Sequence, residues 1–307
     1  MHTRIKISLT LLLITFSYSF GKIDDFLKKI ENKDSGHAIK NIDFIYMINL
    51  DERPEKYQRS LNALAPFNIQ PYRFSAVNGW TLDIDVINQL GVRYSLDMDF
   101  VGFGTTYEKI NMKEKINFHE PIEREGTCYF RENMSKGAIG IILSHLSVLK
   151  DALLSGYQTV WIMEDDIEVF RDPNILSNLI EKLDKIDPKW DILFTDSETR
   201  DQDGLIYCCA TCPRPNFKIH PKEYYCLRKR INRDFTYKRA RYGAYSMIVR
   251  RSGITKILEF FRKYNIFSYY DIDLFYAPDL RVYTCNKPVV TTRINAESDN
   301  AKPGYVE

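Results

Sequence analysis

The sequence predicts an α/β protein built on a mostly parallel sheet. Three observations point there. Short apolar runs rich in strand formers recur along the chain, among them "FIYMINL" (44–50), "TVWIM" (159–163) and "WDILF" (190–194). Their length and near-continuous apolarity fit strands buried on both faces. Segments with helical spacing and helix-start signals lie between them, and that alternation is the pattern of an α/β sheet.

The elements follow in order. Residues 22–41 are polar and rich in Lys and Asp, a lead segment or short helix ahead of the fold. After the first strand, "DERPEKYQRSLNAL" (51–64) reads as a helix, with Pro54 suited to its first turn and Leu61 and Leu64 at helical spacing. "YRFSAVNGW" (72–80) reads as a second strand closing on an Asn78-Gly79 turn. Residues 80–135 hold scattered Gly, acids and aromatics and read as an insertion of loops over a site. "GAIGIILSHLSVLKDALLSG" (137–156) is the clearest helix, stopped by Gly156, and it feeds the 159–163 strand. An amphipathic stretch (174–186) precedes the 190–194 strand, and residues 195–240 form a second insertion. "GAYSMIV" is a strand, Ser252 caps a helix running to Tyr264, and "LRVYT" is a late strand. There is no internal repeat, so one domain over 42–307 follows.

The chain has 307 residues, 44% hydrophobic and 27% charged, a globular composition. Its net charge of +2 is too small to favour nucleic acid as a partner. Arg4 and Lys6 precede the apolar run "ISLTLLLITFSYSF" (7–20). That pattern over residues 1–21 reads as a signal peptide and predicts an exported or secretory-pathway protein. An uncleaved N-terminal anchor, associating the chain with a membrane, is the alternative. The six cysteines are Cys128, Cys208, Cys209, Cys212, Cys226 and Cys285. An even count behind an export signal predicts disulfides. The C-x-x-C within "CCATC", followed by His220 and Cys226, leaves a structural zinc site as the alternative.

"WIMEDDIEVF" (161–170) carries the chemistry. Glu164, Asp165 and Asp166 end an apolar strand, where ligands of open α/β sheets bind. Strand alternation puts Glu164 and Asp166 on one side and Asp165 on the other. A pair of carboxylates facing a cleft suits a hard divalent cation, Mn²⁺ or Mg²⁺, whose remaining positions could take phosphate oxygens. A solvated acidic turn is the bland reading of the same residues.

Four stretches resemble glycosyltransferase family 25, the group of bacterial lipooligosaccharide and procollagen galactosyltransferases. They are "INLDERPEKYQR" (48–59), "SAVNGW" (75–80), "GAIGIILSHLSVLKDALLSGYQTVWIMEDDIEVF" (137–170), and "GAYSMIVRRSGITKIL" (243–258) followed by "DIDLFYAPDLRVYTCNKPVV" (271–290). The resemblance covers residues 42–298 and implies a glycosyltransferase A-type nucleotide-binding fold, a UDP-sugar donor, most often galactose, and a divalent cation, Mn²⁺ before Mg²⁺. By this resemblance Asp166 is the foremost metal ligand, and Glu164 is a second ligand or a partner of the ribose. Asn49, Leu50, Arg53, Arg59, Ser144, His145 and Asp165 are expected to serve the nucleotide sugar. The acceptor would be a hydroxyl of a glycan or of a glycosylated or hydroxylated protein.

An inverting sugar transfer needs a base facing the acceptor hydroxyl. "YYDIDLFYAPDL" (269–280) offers Asp271, Asp273 and Asp279, and the resemblance favours Asp273, then Asp271. The chain departs from the family where an arginine-rich stretch is common and "DERPEK" stands instead, with Glu52 in place of a basic residue. Two competing classes remain at this point. One is a catalytically inactive secretory relative that binds or adheres to partners. The other is a binder of an acidic polymer through "RKRINRDFTYKRAR" (228–241), which holds seven basic residues and one acid.

Overall fold

The computed structural model describes residues 22–197, 211–294 and 296–300. The N-terminal targeting segment, Cys208, Cys209 and most of the acid-rich stretch after residue 197 lie outside the described residues. Strand β1 (Phe44–Asn49) is buried at every position. Helix α1 (Pro54–Leu64) starts with Pro54 in its first turn, as the pattern predicts. Strand β2 (Tyr72–Ser75) and helix α2 (Ile84–Leu90) follow, then the short β3 (Val92–Arg93), β4 (Phe103–Ile110), β5 (Lys113–Pro121) and β6 (Cys128–Arg131). Helix α3 (Lys136–Leu154) is N-capped by Ser135, whose side chain accepts from Ala138 N–H. Strand β7 (Thr159–Glu164) carries the acidic turn, β8 (Ile167–Val169) leaves it, and the amphipathic α4 (Leu176–Ile186) leads to β9 (Ile192–Phe194). The remaining elements are α5 (Lys222–Tyr225), β10 (Arg228–Arg230), β11 (Phe235–Lys238), β12 (Ser246–Arg250), α6 (Arg251–Tyr264), α7 (Tyr270–Asp273), β13 (Val282–Cys285) and β14 (Val290–Thr292). Ser252 does not cap α6: its hydroxyl donates to Asp191 instead, and Arg250 holds the cap position.

Among the described residues the main sheet has eight strands, in the order β10-β11-β13-β9-β12-β7-β1-β2. It is mixed, not mostly parallel. β2, β1 and β7 run parallel, as do β9 and β13. β12 lies antiparallel between β7 and β9, and the β10–β11 hairpin extends the β13 edge antiparallel. A central antiparallel strand is as apolar as a parallel one when both faces are covered, so direction does not show in the apolar runs. Both faces are covered. Phe44, Tyr46 and Ile48 pack with α3 and α6, while Ile45 and Met47 pack with α1 and α4. One long strand thus alternates between two cores.

The 80–135 region is more regular than its composition suggests. It forms a four-stranded antiparallel sheet, β3-β6-β4-β5. The β4–β5 hairpin turns through Asn111 and Met112, both at positive φ, the geometry of a type I′ turn. The 195–240 region, where described, completes the main sheet's edge. The 22–41 lead is docked: Ile23 and Leu27 are buried and Asp24 pairs with Arg262 and Lys150. Burial alone would raise the Asp24 carboxyl, but those two cations hold it below its ordinary value. Helix α3 is long and apolar enough to cross a membrane, yet most of it is buried in the core, which accounts for its composition.

Candidate active site

The carboxyl ends of β1 and β7 open into a cleft. Its walls include Asn49, Leu50, Lys56, Trp80, Ser144, His145, Glu164, Asp165 and Asp166, with residues 297–300 across one end.

The three acids do not simply alternate, because β7 ends at Glu164 and the chain turns. Glu164 Oε1 lies 3.0 Å from His145 Nε2. Asp165 turns toward α1: its Oδ2 accepts from Asn49 Nδ2 at 2.7 Å, and its carbonyl accepts from Ser60 Oγ at 2.6 Å. Asp166 Oδ2 accepts from Thr292 Oγ1 at 3.0 Å, while its Oδ1 is buried with no partner. Burial pushes the carboxyls of Asp165 and Asp166 up to about 6, and the neighbouring acids add to it, Glu164 foremost for Asp166. An orphaned buried carboxylate oxygen beside a second carboxylate lacks positive charge. Among the described residues no three His, Cys, Asp or Glu side chains converge as a closed metal site. Two carboxylates with room beside them fit a cation that completes its shell from water and substrate oxygens. Glu164 and Asp166 therefore fit a divalent cation, and Asp165 is committed to positioning the turn.

The other predicted residues divide. Asn49 is fully used: it donates to Asp165 and to Arg53 O, and its Oδ1 accepts from Arg73 at 2.7 Å. It clamps the strand end, with Leu50 beside it on the cleft wall. Ser144 Oγ accepts from Val77 N–H and donates to Gly140 O, both at 2.8 Å, fixing α3 against the 76–80 loop. His145 is buried and stacks on Tyr270 with ring centroids 4.2 Å apart. Arg53 does not line the cleft itself but pairs with Glu55 and with Glu297 and Asp299, which do. Arg59 is exposed on the outer face of α1 and does not line the cleft. The i to i+3 relation brings Lys56, not Arg59, beside Arg53. Lys56 is buried, and its Nζ donates to Asp299 Oδ2 at 2.6 Å. The "INLDERPEKYQR" stretch contained this signal one helical turn before the arginine chosen from it.

A second pocket adjoins the first at Glu164, Ile141 and Asn300, and is lined by Gly243, Tyr245, Tyr269, Tyr270 and Asp271. Asp271 Oδ2 accepts from Gly243 N–H at 2.8 Å. Burial and the Glu164 charge raise its carboxyl above the ordinary range. Asp273 is elsewhere. It is fully buried, accepts from Phe267 N–H and Ser268 N–H at 3.0 and 2.9 Å, and lies 3.1 Å from Arg214 Nη1. It lines neither pocket, whereas Asp271 lines the second. α7 is a single turn, and residues two apart on a helix point in different directions. Asp279 lies beyond α7, and its carbonyl accepts from Lys256 at 2.8 Å, away from both pockets.

The zinc alternative finds no support: Cys226 is disulfide-bonded, and Cys128, Cys212 and Cys285 are buried free thiols. The basic 228–241 stretch is not one solvated surface either, because Lys238 and Arg241 are buried and Arg241 pairs with Asp196 at 2.6 Å.

An α/β domain with an acidic turn at a central strand end, opening on a cleft with a second pocket beside it, places its candidate site where open α/β sheets bind ligands. The model of glycosyltransferase family 25 (LPS biosynthesis protein) matches residues 42–276, and the chain belongs to that family. It is similar to a glycosyltransferase 25 family member of Drosophila pseudoobscura pseudoobscura, 27% identical over 144 residues, 47% of this chain and 18% of the relative. It is also similar to the inactive glycosyltransferase 25 family member 3 of Homo sapiens, 26% identical over 50% of this chain and 21% of the relative. A third, procollagen galactosyltransferase 1 of Danio rerio, is 25% identical over 50% of this chain and 21% of the relative. The chain thus spans about a fifth of the length of these relatives.

Proposed function

We propose that this member of the family is a divalent-cation-dependent glycosyltransferase that moves a sugar from a UDP-sugar to an acceptor hydroxyl with inversion, on a glycosyltransferase A-type fold. The observation that carries the reading is the partnerless buried Oδ1 of Asp166, beside Glu164, in a cleft that continues to Asp271. Galactose is the foremost sugar, supported by the name of the Danio rerio relative. The acceptor is a glycan or protein hydroxyl, and the N-terminal pattern supports an exported or membrane-anchored location.

Glu164 and Asp166 would hold the cation, Mn²⁺ before Mg²⁺. When bound, it would supply the positive charge that offsets a diphosphate leaving group. The rest is done by this chain. His145 fixes Glu164, and Asn49 fixes the turn through Asp165. Tyr245, Tyr269 and Tyr270 wall the second pocket and exclude water around an acceptor sugar. Gly243 N–H holds one Asp271 oxygen and so orients the carboxylate in the second pocket. The acceptor oxygen attacks the anomeric carbon as its proton passes to Asp271, and the carbon–oxygen bond to the diphosphate breaks. A raised carboxyl near Glu164 suits that role, since a base works best with a proton affinity near the working pH.

Several relatives are named inactive, so the test must detect turnover rather than binding. Nucleotide release from a panel of UDP-sugars, with Mn²⁺ and with chelator, provides it. Release from UDP-galactose foremost, lost in chelator, is the expected result. Equal release in chelator, or none from any UDP-sugar, contradicts the reading.

A further inference from the structure

One end of the cleft is already filled by an anion that belongs to the chain. Residues 297–300 cross it, and Asp299 gives one carboxylate oxygen to Arg53 Nη1 and the other to Lys56 Nζ. Glu297 adds a carboxylate contact to Arg53 at 2.8 Å, and its carbonyl accepts from Lys56 at 2.7 Å. The backbone is seated too. Asp299 O accepts from Trp80 Nε1 at 3.2 Å and rests on Gly137, where a β-carbon would meet it at 2.8 Å. Arg53 and Lys56 are more than 200 residues from Asp299 in sequence, so the contact is made by the fold and not by local pairing.

We infer that Asp299 is an internal competitor of the donor's diphosphate, occupying on Arg53 and Lys56 the place that a phosphate takes when the nucleotide sugar binds. The inference rests on the UDP-sugar reading above and deepens it by naming two further donor-binding residues and what guards them. Three features carry it. A carboxylate that offers one oxygen to each of two cations reproduces the grip of a phosphate, for which Arg and Lys are the usual partners. Lys56 is buried, and a buried cation left without a counter-ion is strongly unfavourable, so the pair needs an anion at all times. Lys56 also lines the same cleft as Asp165 and Asp166, with Asp299 on its wall. A diphosphate would therefore lie between the acidic turn on one side and the Arg53–Lys56 pair on the other. Exchange of Asp299 for phosphate keeps the cations paired throughout, which makes donor loading a replacement and not a simple filling.

The test titrates inorganic pyrophosphate and UDP into the full chain, read by calorimetry and by Trp80 fluorescence. Asp299→Asn keeps the side chain's shape and removes its charge. It should bind pyrophosphate about tenfold or more tightly than the unaltered chain, within the usual range for competing sites. Gly137→Ala changes no charge but drives a β-carbon into the Asp299 carbonyl, and it should tighten binding in the same direction. Lys56→Met should weaken binding and make Asp299→Asn silent when the two are combined. Unchanged or weaker pyrophosphate binding in both Asp299→Asn and Gly137→Ala overturns the inference. The two readings fail separately. Tightened pyrophosphate binding with no response to UDP keeps the competitor and removes the uridine donor. Turnover of a UDP-sugar with unaltered binding in both variants does the reverse.

Discussion

At the scale of single residues, the account turns on two aspartates that are two positions apart. Asp271→Asn should leave nucleotide binding in place and lower transfer by a factor of about 10² or more, the scale of general-base catalysis. Asp273→Asn should act on stability instead. It strips the buried Arg214 of its carboxylate, a loss of about 3–5 kcal/mol for a broken buried pair. Urea midpoints and transfer rates of the two variants separate these effects, and exchanged phenotypes would reject the assignment. Asp166 adds a pH-dependent test. Its carboxyl is raised from 3.8 to about 6, so the folded chain without cation holds a proton that the unfolded chain releases. Its contribution is therefore favourable below about 4 and is lost as pH rises through about 6. Asp166→Asn should melt progressively higher than the unaltered chain as pH rises past 6 in chelator, and Mn²⁺ should narrow that gap. Melting curves across pH 4–8 check it, and a gap independent of pH and Mn²⁺ would refute it.

At the scale of elements, the helix and strand that build the site were legible and their surroundings were not. α3 and β7 announce themselves as an apolar helix stopped at Gly156 and an apolar strand ended by acids. The β4–β5 hairpin hides because β5 is exposed along most of its length and shows no clean alternation. Its turn is also closed by Asn111-Met112 in place of the Asn-Gly that usually marks a type I′ turn. The strand order and the antiparallel β12 are set by packing on both sheet faces, which no single apolar run encodes. The site residues divide the same way. Glu164 and Asp166 sit inside a motif, whereas Lys56 matters because of Asp299, 243 positions away. The contact of α3 with the 76–80 loop is also a glycine one. A β-carbon on Gly140 would meet Val77 O and Gly79 N at 2.5 Å. Gly140→Ala should therefore lower stability by about 1–3 kcal/mol, the usual cost of overpacking, despite alanine's better helix propensity. A denaturant midpoint at or above that of the unaltered chain would show that α3 can shift away from the 76–80 loop.

At the scale of the whole molecule, the two hydrophobic cores enclose three thiols that chemistry should not reach. Burial pushes Cys128 and Cys285 up to about 12 and Cys212 up to about 11. Since the thiolate is the reactive form, all three should resist alkylation at pH 8 until the chain unfolds. Peptide mapping after brief labelling checks each one, and rapid native labelling of any of the three would place it at the surface. The proposed function rests on one claim that can be tested: that the β7 acids hold a cation for a nucleotide reaching toward Arg53 and Lys56. The most direct test is calorimetric titration of UDP into the unaltered chain and into Asp166→Ala, each with Mn²⁺ and with chelator. The account predicts UDP binding by the unaltered chain that depends on Mn²⁺ and is lost in Asp166→Ala. Equal UDP binding by both proteins, or full binding in chelator, would contradict it.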